Sequence, residues 1–114
     1  MLLLCSTQNI YASDDFISHY EYGEMLYDNP RGVSCSRCHG ESGGGKVIVT
    51  YKGPDGSNMT IDGPDIRSET FASILNSINA YHKVMPRYYL TRQEAKAIYD
   101  YLQKKNSKYL SNKK

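Results

Sequence analysis

Tryptophan is absent from this chain and phenylalanine occurs only twice, so the aromatic content falls on eleven tyrosines. Buried tyrosines need partners for their hydroxyls. The simplest reading sets most of these rings at the rim, with the apolar body inward and the hydroxyl in water. No apolar run approaches the roughly 20 residues of a membrane-crossing helix, so no spanning segment is expected. An excess of one charge is lacking too: fourteen Lys and Arg stand against twelve Asp and Glu, for a net charge of +2. No recognised binding motif accompanies the lysines, and nucleic acid is not an expected partner. At 114 residues the chain reads as one small domain with a limited core.

The near-balance of charge hides a polarity along the chain. Residues 13–30 carry Asp14, Asp15, Glu21, Glu24 and Asp28 with no Lys or Arg, whereas residues 91–114 carry seven cations against Glu94 and Asp100. Such asymmetry can orient a small protein in a partner's field. Residues 1–12, with Met1-Leu2-Leu3-Leu4-Cys5 and a possible cleavage point after Ala12, read as the remnant of an export signal or an unstructured N-terminus.

Periodicity predicts three main helices and one hairpin. The first helix is expected from about Asp14 to Tyr27, with Ser13 as N-cap and Phe16, Tyr20, Gly23 and Tyr27 on one face. Lys46–Lys52 and Asn58–Ile61, separated by Gly53-Pro54-Asp55-Gly56, read as a β-hairpin. A second helix is expected from about Ser68 to Ala80, with Phe71, Ile74, Leu75 and Ile78 inward. Thr91-Arg92-Gln93-Glu94 is a capping box that opens a third helix with the stripe Ala95, Ile98, Tyr99 and Leu102. Residues 106–114 read as a basic, polar tail.

The chemistry lies between these elements. Cys35-Ser36-Arg37-Cys38-His39 has the spacing of covalent c-type haem attachment: two thiols can add to the two vinyl groups, and His39 can present its imidazole to the iron. A zinc site would need a further cysteine or histidine pair, and a redox dithiol would need a βαβ context; the sequence has neither. Gly43-Gly44-Gly45-Lys46 lacks the following Ser or Thr, and the preceding strand, of a phosphate-binding loop. For the other face of the iron the first candidate is Met85, a soft thioether in the loop Ala80–Leu90, followed by Pro86. His82, Met59 and an open position are the alternatives. A filled position restricts the haem to one-electron exchange, whereas an open one would suit a haem enzyme or gas sensor.

From about Asp14 to Lys105 the order of these parts resembles the class I single-haem cytochromes c. The resemblance rests on the helix with Gly23 and Tyr27, the Cys35–Gly40 motif, Gly63-Pro64-Asp65-Ile66, Val84-Met85-Pro86 and the final helix. It implies a mainly α cytochrome c fold, with three main helices around one covalently bound haem c and the hairpin as an insertion. It also implies that Gly23 packs against Tyr99 and that the Pro64 carbonyl accepts the free N–H of His39. Many members use a tryptophan near a haem propionate; here Arg87, Tyr88 or Tyr89 would take that role. The implied domain spans residues 13–105.

The expected function is that of a monomeric, soluble one-electron carrier of a respiratory chain rather than an enzyme. The periplasm is its expected compartment. Positive charge from Arg37, Lys83 and Arg87 around the haem edge would suit an acidic docking face on a terminal oxidase or another respiratory complex. A haem subunit of a larger oxidoreductase is the alternative.

Overall fold

His19–Asp28, helix α1, opens on a reciprocal cap. The Glu21 N–H donates to the Ser18 hydroxyl at 3.0 Å, and the Ser18 N–H donates to the Glu21 carboxylate at 2.9 Å. The computed structural model describes residues 17–113, so Ser13 to Phe16 and the N-terminal segment 1–12 lie outside the described residues. Four more helices and two strands follow: α2 (Cys35–His39), β1 (Lys46–Lys52), β2 (Asn58–Gly63), α3 (Phe71–Asn79), α4 (Arg92–Lys105) and α5 (Ser107–Asn112). Among the described residues no helix is long and apolar enough to cross a membrane.

The frame of the domain is the crossing of α1 over α4. Gly23 is buried against the Ala97 carbonyl, and a Cβ added to it would stand 2.6 Å from the Cβ of Tyr101. No side chain fits there, which accounts for a glycine inside a helix. The aromatic neighbour is Tyr101, not Tyr99 as the resemblance implied. Two residues along a helix turn the side chain by about 200°, and Tyr99 therefore leaves this contact to pack on Phe71 of α3, with ring centroids 5.8 Å apart. Tyr101 in turn meets Tyr20 at 5.0 Å and Tyr27 at 5.7 Å, so α1 and α4 are joined through a tyrosine cluster. Leu26, Ile98 and Leu102 complete the buried seam, and Ile74 and Ile78 bring α3 onto it.

The capping box at Thr91 and Glu94 forms as the sequence predicts. Helix α3 keeps its expected apolar stripe but starts at Phe71, three residues later than the expected start at Ser68. Thr70 caps it by accepting the Ser73 N–H at 3.1 Å, whereas the Ser68 hydroxyl pairs with the ammonium of Lys113 at 2.8 Å. Where the sequence reads as a polar tail, Ser107–Asn112 is helical. Asn106, the residue before it, is buried; its amide donates to the carbonyls of Ser42 and Leu102, each at 2.8 Å, and so ties the end of α4 to the glycine-rich loop. The β-hairpin is present, antiparallel, with Lys46 opposite Gly63 and Lys52 opposite Asn58.

Arg31 links the turn after α1 to the start of α4. Among the described residues it is the only non-glycine with positive φ, at 62°. Its guanidinium donates to both Glu94 oxygens, at 2.6 and 2.9 Å, and to the Tyr89 carbonyl at 3.1 Å. These charge-assisted bonds hold the backbone in a conformation that costs on the order of 1–3 kcal/mol. The same guanidinium, and then the Thr91 N–H, hold the Glu94 carboxyl at about 2, below its ordinary value of 4.5. A folded-state pKa below the unfolded one gives stability that is present above the unfolded value and lost as pH falls through the folded value. Glu94→Gln is therefore expected to lower the urea midpoint at pH 7, with the two curves converging as the pH is taken from 4.5 toward 2.

Candidate functional site

Helix α2 is a little over one turn long and carries the cysteine and histidine motif. On a helix, residues three and four apart share a face, so Cys35, Cys38 and His39 project together. Gly40, at φ 87°, ends the helix with a backbone that side chains rarely adopt. Three contacts fix α2 in place. The hydroxyl of the fully buried Tyr27 donates to the Gly40 carbonyl at 2.7 Å. The Gly45 N–H donates to the His39 carbonyl, also at 2.7 Å. At the end of β2, Gly63 lies so close to the Cys38 carbonyl that a Cβ would fall within its van der Waals envelope.

His39 is 9% exposed, and its Nδ1 lies 2.9 Å from the Pro64 carbonyl oxygen. A carbonyl only accepts, so Nδ1 carries the proton, and in the neutral ring this leaves the lone pair on Nε2. The imidazole is thereby set as a ligand in both tautomer and orientation.

Cys35, Cys38, His39, Pro64 and Met85 line one cleft of about 420 Å³, within the range of cofactor sites. Its apolar walls come from every part of the frame: Tyr27 of α1, Ile74 and Ile78 of α3, Ile98 and Leu102 of α4, and Ile66 and Val84 from loops. Burial pushes the Cys35 thiol up to about 12, so at neutral pH it is a neutral sulfhydryl rather than a thiolate. A neutral, buried thiol of this kind is poorly suited to disulfide exchange. Among the described residues no group of three or more His, Cys, Asp or Glu side chains could hold a metal ion.

Arg87, Tyr88 and Tyr89 do not line this cleft. Tyr88 is buried with its hydroxyl donated to the Val33 carbonyl, bracing the approach to α2. Arg87 donates to the Tyr81 hydroxyl at 3.0 Å and stacks near Tyr89, which is 75% exposed. The Tyr88 hydroxyl is thus committed to the Val33 carbonyl, and none of the three residues expected near a propionate lines the cleft. Arg37 and Lys83 are exposed and lie outside the cleft lining. Of the alternative ligands, Met59 packs against Gly53 in the hairpin, away from the cleft. His82 does reach the lining, with Nε2 2.9 Å from the Ser77 carbonyl.

Several lining residues escaped the sequence reading. Ser73 and Ser77 lie at i and i+4 on α3, each one residue before a core isoleucine, and that paired polar stripe was the available signal. Asp62, Asp65 and Glu69 bring carboxylates to the lining, whereas no Lys or Arg does. Ile48 reaches it from the hairpin.

A soft sulfur, an imidazole nitrogen with its lone pair free and two thiols in an apolar cleft are a donor set that fits haem. Together with the fold they define a c-type cytochrome domain, whose cofactor is covalently attached haem c. The chain belongs to the family described as cytochrome C oxidase, cbb3-type, subunit III, whose model matches residues 19–102. No curated protein and no solved structure matches the chain. Domains of this family are electron-transfer haem proteins, typically carriers rather than enzymes.

The contact at Gly63 gives a direct test of how α2 is held. Gly63→Ala is expected to push β2 away from Cys38, loosen the Pro64 to His39 bond and reduce the fraction of protein carrying covalent haem. Haem-stained gels normalised to total protein measure that fraction.

Proposed function

We propose that this chain is a one-electron carrier domain of a respiratory chain, with haem attached through Cys35 and Cys38 and its iron ligated by His39 and Met85. The observation that carries this reading is the convergence of those four side chains on a single apolar cleft. Haem bound there supplies reversible exchange of one electron between ferrous and ferric iron. Cys35 and Cys38 hold the group through thioethers, and His39 is kept in a single tautomer by Pro64. Met85, half-buried against the core, offers its thioether from the loop after α3. Two protein ligands leave no coordination position for a substrate, which favours a carrier over an enzyme or sensor. Tyr27, Ile74, Ile78, Ile98 and Leu102 keep water from the walls, so that α1, α3 and α4 act as the three enclosing helices. Dry walls and a thioether ligand both favour the less charged ferrous state and raise the potential.

The proposed domain spans residues 13–105 and works as a monomer in the periplasm, where such haem attachment takes place in bacteria. Its partner is a respiratory complex such as a terminal oxidase, met through small, salt-sensitive contacts. The family match favours a second reading, in which the chain is a resident haem subunit of an oxidase.

Absorption spectra of wild type and Met85→Ala test the ligand set. Wild type is expected to be low-spin with a methionine-to-iron band, and the variant to lose that band and bind carbon monoxide readily; identical spectra would remove Met85 from the site. The two cellular readings separate on fractionation of native cells after osmotic shock. A mobile carrier is released with the periplasmic fraction, whereas a resident subunit stays with the membrane and co-purifies with oxidase activity.

A further inference from the structure

The inserted hairpin is rooted on the motif helix by both of its strands. Just before β1, the Gly45 N–H is bonded to the His39 carbonyl at 2.7 Å; at the end of β2, Gly63 is pressed against the Cys38 carbonyl. Close to this root the ladder slips. Val47 pairs with Asp62 and Val49 with Ile61, which leaves Ile48 without a partner in the register. An extra residue of this kind bends the strand and re-aims its side chain. Ile48 lines the cleft beside Asp62 and Gly63, although every residue of β1 is classed as exposed. At 36% it is the least exposed of the four apolar side chains of β1, against 53% for Val47 and 45% for both Val49 and Tyr51. Val49 faces Ile61 and Tyr51 faces Met59 across the ladder, and none of these four lines the cleft.

From this we infer that Ile48 is a shielding residue: the bulge delivers one apolar side chain from the hairpin to close the cleft wall beside the motif helix, and so raises the reduction potential. The inference rests on the proposed haem site. The wall Ile48 closes is the acidic one, with Asp62 adjacent and Asp65 and Glu69 on the same lining. Without an apolar group at the bulge, water and negative charge would have freer access to that side. Both stabilise the ferric state relative to the ferrous state and lower the potential. The remainder of the hairpin, whose apolar pairs point elsewhere, does not share this role.

The test compares Ile48→Val with Ile48→Thr in the haem-loaded protein, because valine and threonine have the same shape and differ in polarity. Val49→Thr, on the same strand but off the lining, is the control. Covalent haem content is measured first; a wild type without haem refutes the functional reading itself and is distinguishable from failure of this inference. Redox titration is then expected to give a lower midpoint for Ile48→Thr than for Ile48→Val, with Val49→Thr unchanged. Imidazole is expected to bind the ferric Ile48→Thr protein several-fold more tightly than the ferric Ile48→Val protein. Equal potentials for the threonine and valine variants at position 48, or an equal drop in Val49→Thr, would overturn the assignment.

Discussion

The hydrogen bond between His39 Nδ1 and the Pro64 carbonyl is the constraint on which the rest of the site depends. It joins the motif helix to a segment 25 residues further along the chain, and it turns an imidazole that could adopt either tautomer into a ligand with one free nitrogen. A bond of that kind is only as well defined as the backbone that presents its acceptor. Here the acceptor follows Gly63, which is seated against Cys38, while Gly45 bonds back to His39 and the Ile66 N–H bonds to the Gly43 carbonyl at 2.8 Å. The glycine-rich stretch and the Pro64 segment are therefore two sides of one backbone clasp around α2. Positive φ at Gly40, Gly43 and Gly45 is what lets the chain pass so closely.

That clasp explains why an insertion between the two sides is tolerated. The hairpin leaves at Lys46 and returns at Gly63, which are paired with each other, so the loop ends stay together whatever lies between them. Loop closure grows only slowly in entropic cost with length, and a hairpin that forms its own ladder lowers it further. The strands point largely into solvent, and only the root, with its bulge, contributes to the cleft.

Much of this was legible in the sequence, for identifiable reasons. The Cys35 to His39 spacing encodes chemistry directly, the Thr91 to Glu94 capping box marks a helix start by local hydrogen bonding, and the β-branched run Val47–Thr50 followed by the turn residues Gly53-Pro54-Asp55-Gly56 marks the hairpin. What was not legible depends on tertiary geometry. Gly23 signals close approach by another element, yet which tyrosine receives it is set by the rotation of α4, and the choice fell on Tyr101. Tyr88 carries a group suited to a propionate, but packing turned its hydroxyl to the Val33 carbonyl. Ser73 and Ser77 look like ordinary exposed helix positions until α3 is laid beside the cleft. The role of residues after Asn106 was hidden because Tyr109 finds its partner in a loop some 40 residues earlier.

That partner extends the chain of dependence from the imidazole to the C-terminal helix. Asp65, next to the carbonyl that holds His39, is ionised: Arg67 holds its carboxyl at about 2. An uncompensated carboxylate on the lining would oppose a buried group that itself carries acidic substituents. Arg67 answers that charge through a two-pronged contact with Asp65, at 2.8 and 3.0 Å. Its guanidinium is in turn seated 3.5 Å above the ring of Tyr109 on α5, and the Lys113 ammonium lies near the same ring. A cation stacked on an aromatic face keeps its fork oriented without losing its charge. The segment that reads as a basic tail thus acts as a support: α5 steadies Arg67, Arg67 neutralises Asp65, and the backbone at Pro64 keeps the carbonyl against His39. The Asp65 charge on the cleft lining is therefore balanced by Arg67, a residue outside the lining, and the C-terminal helix holds that residue in place.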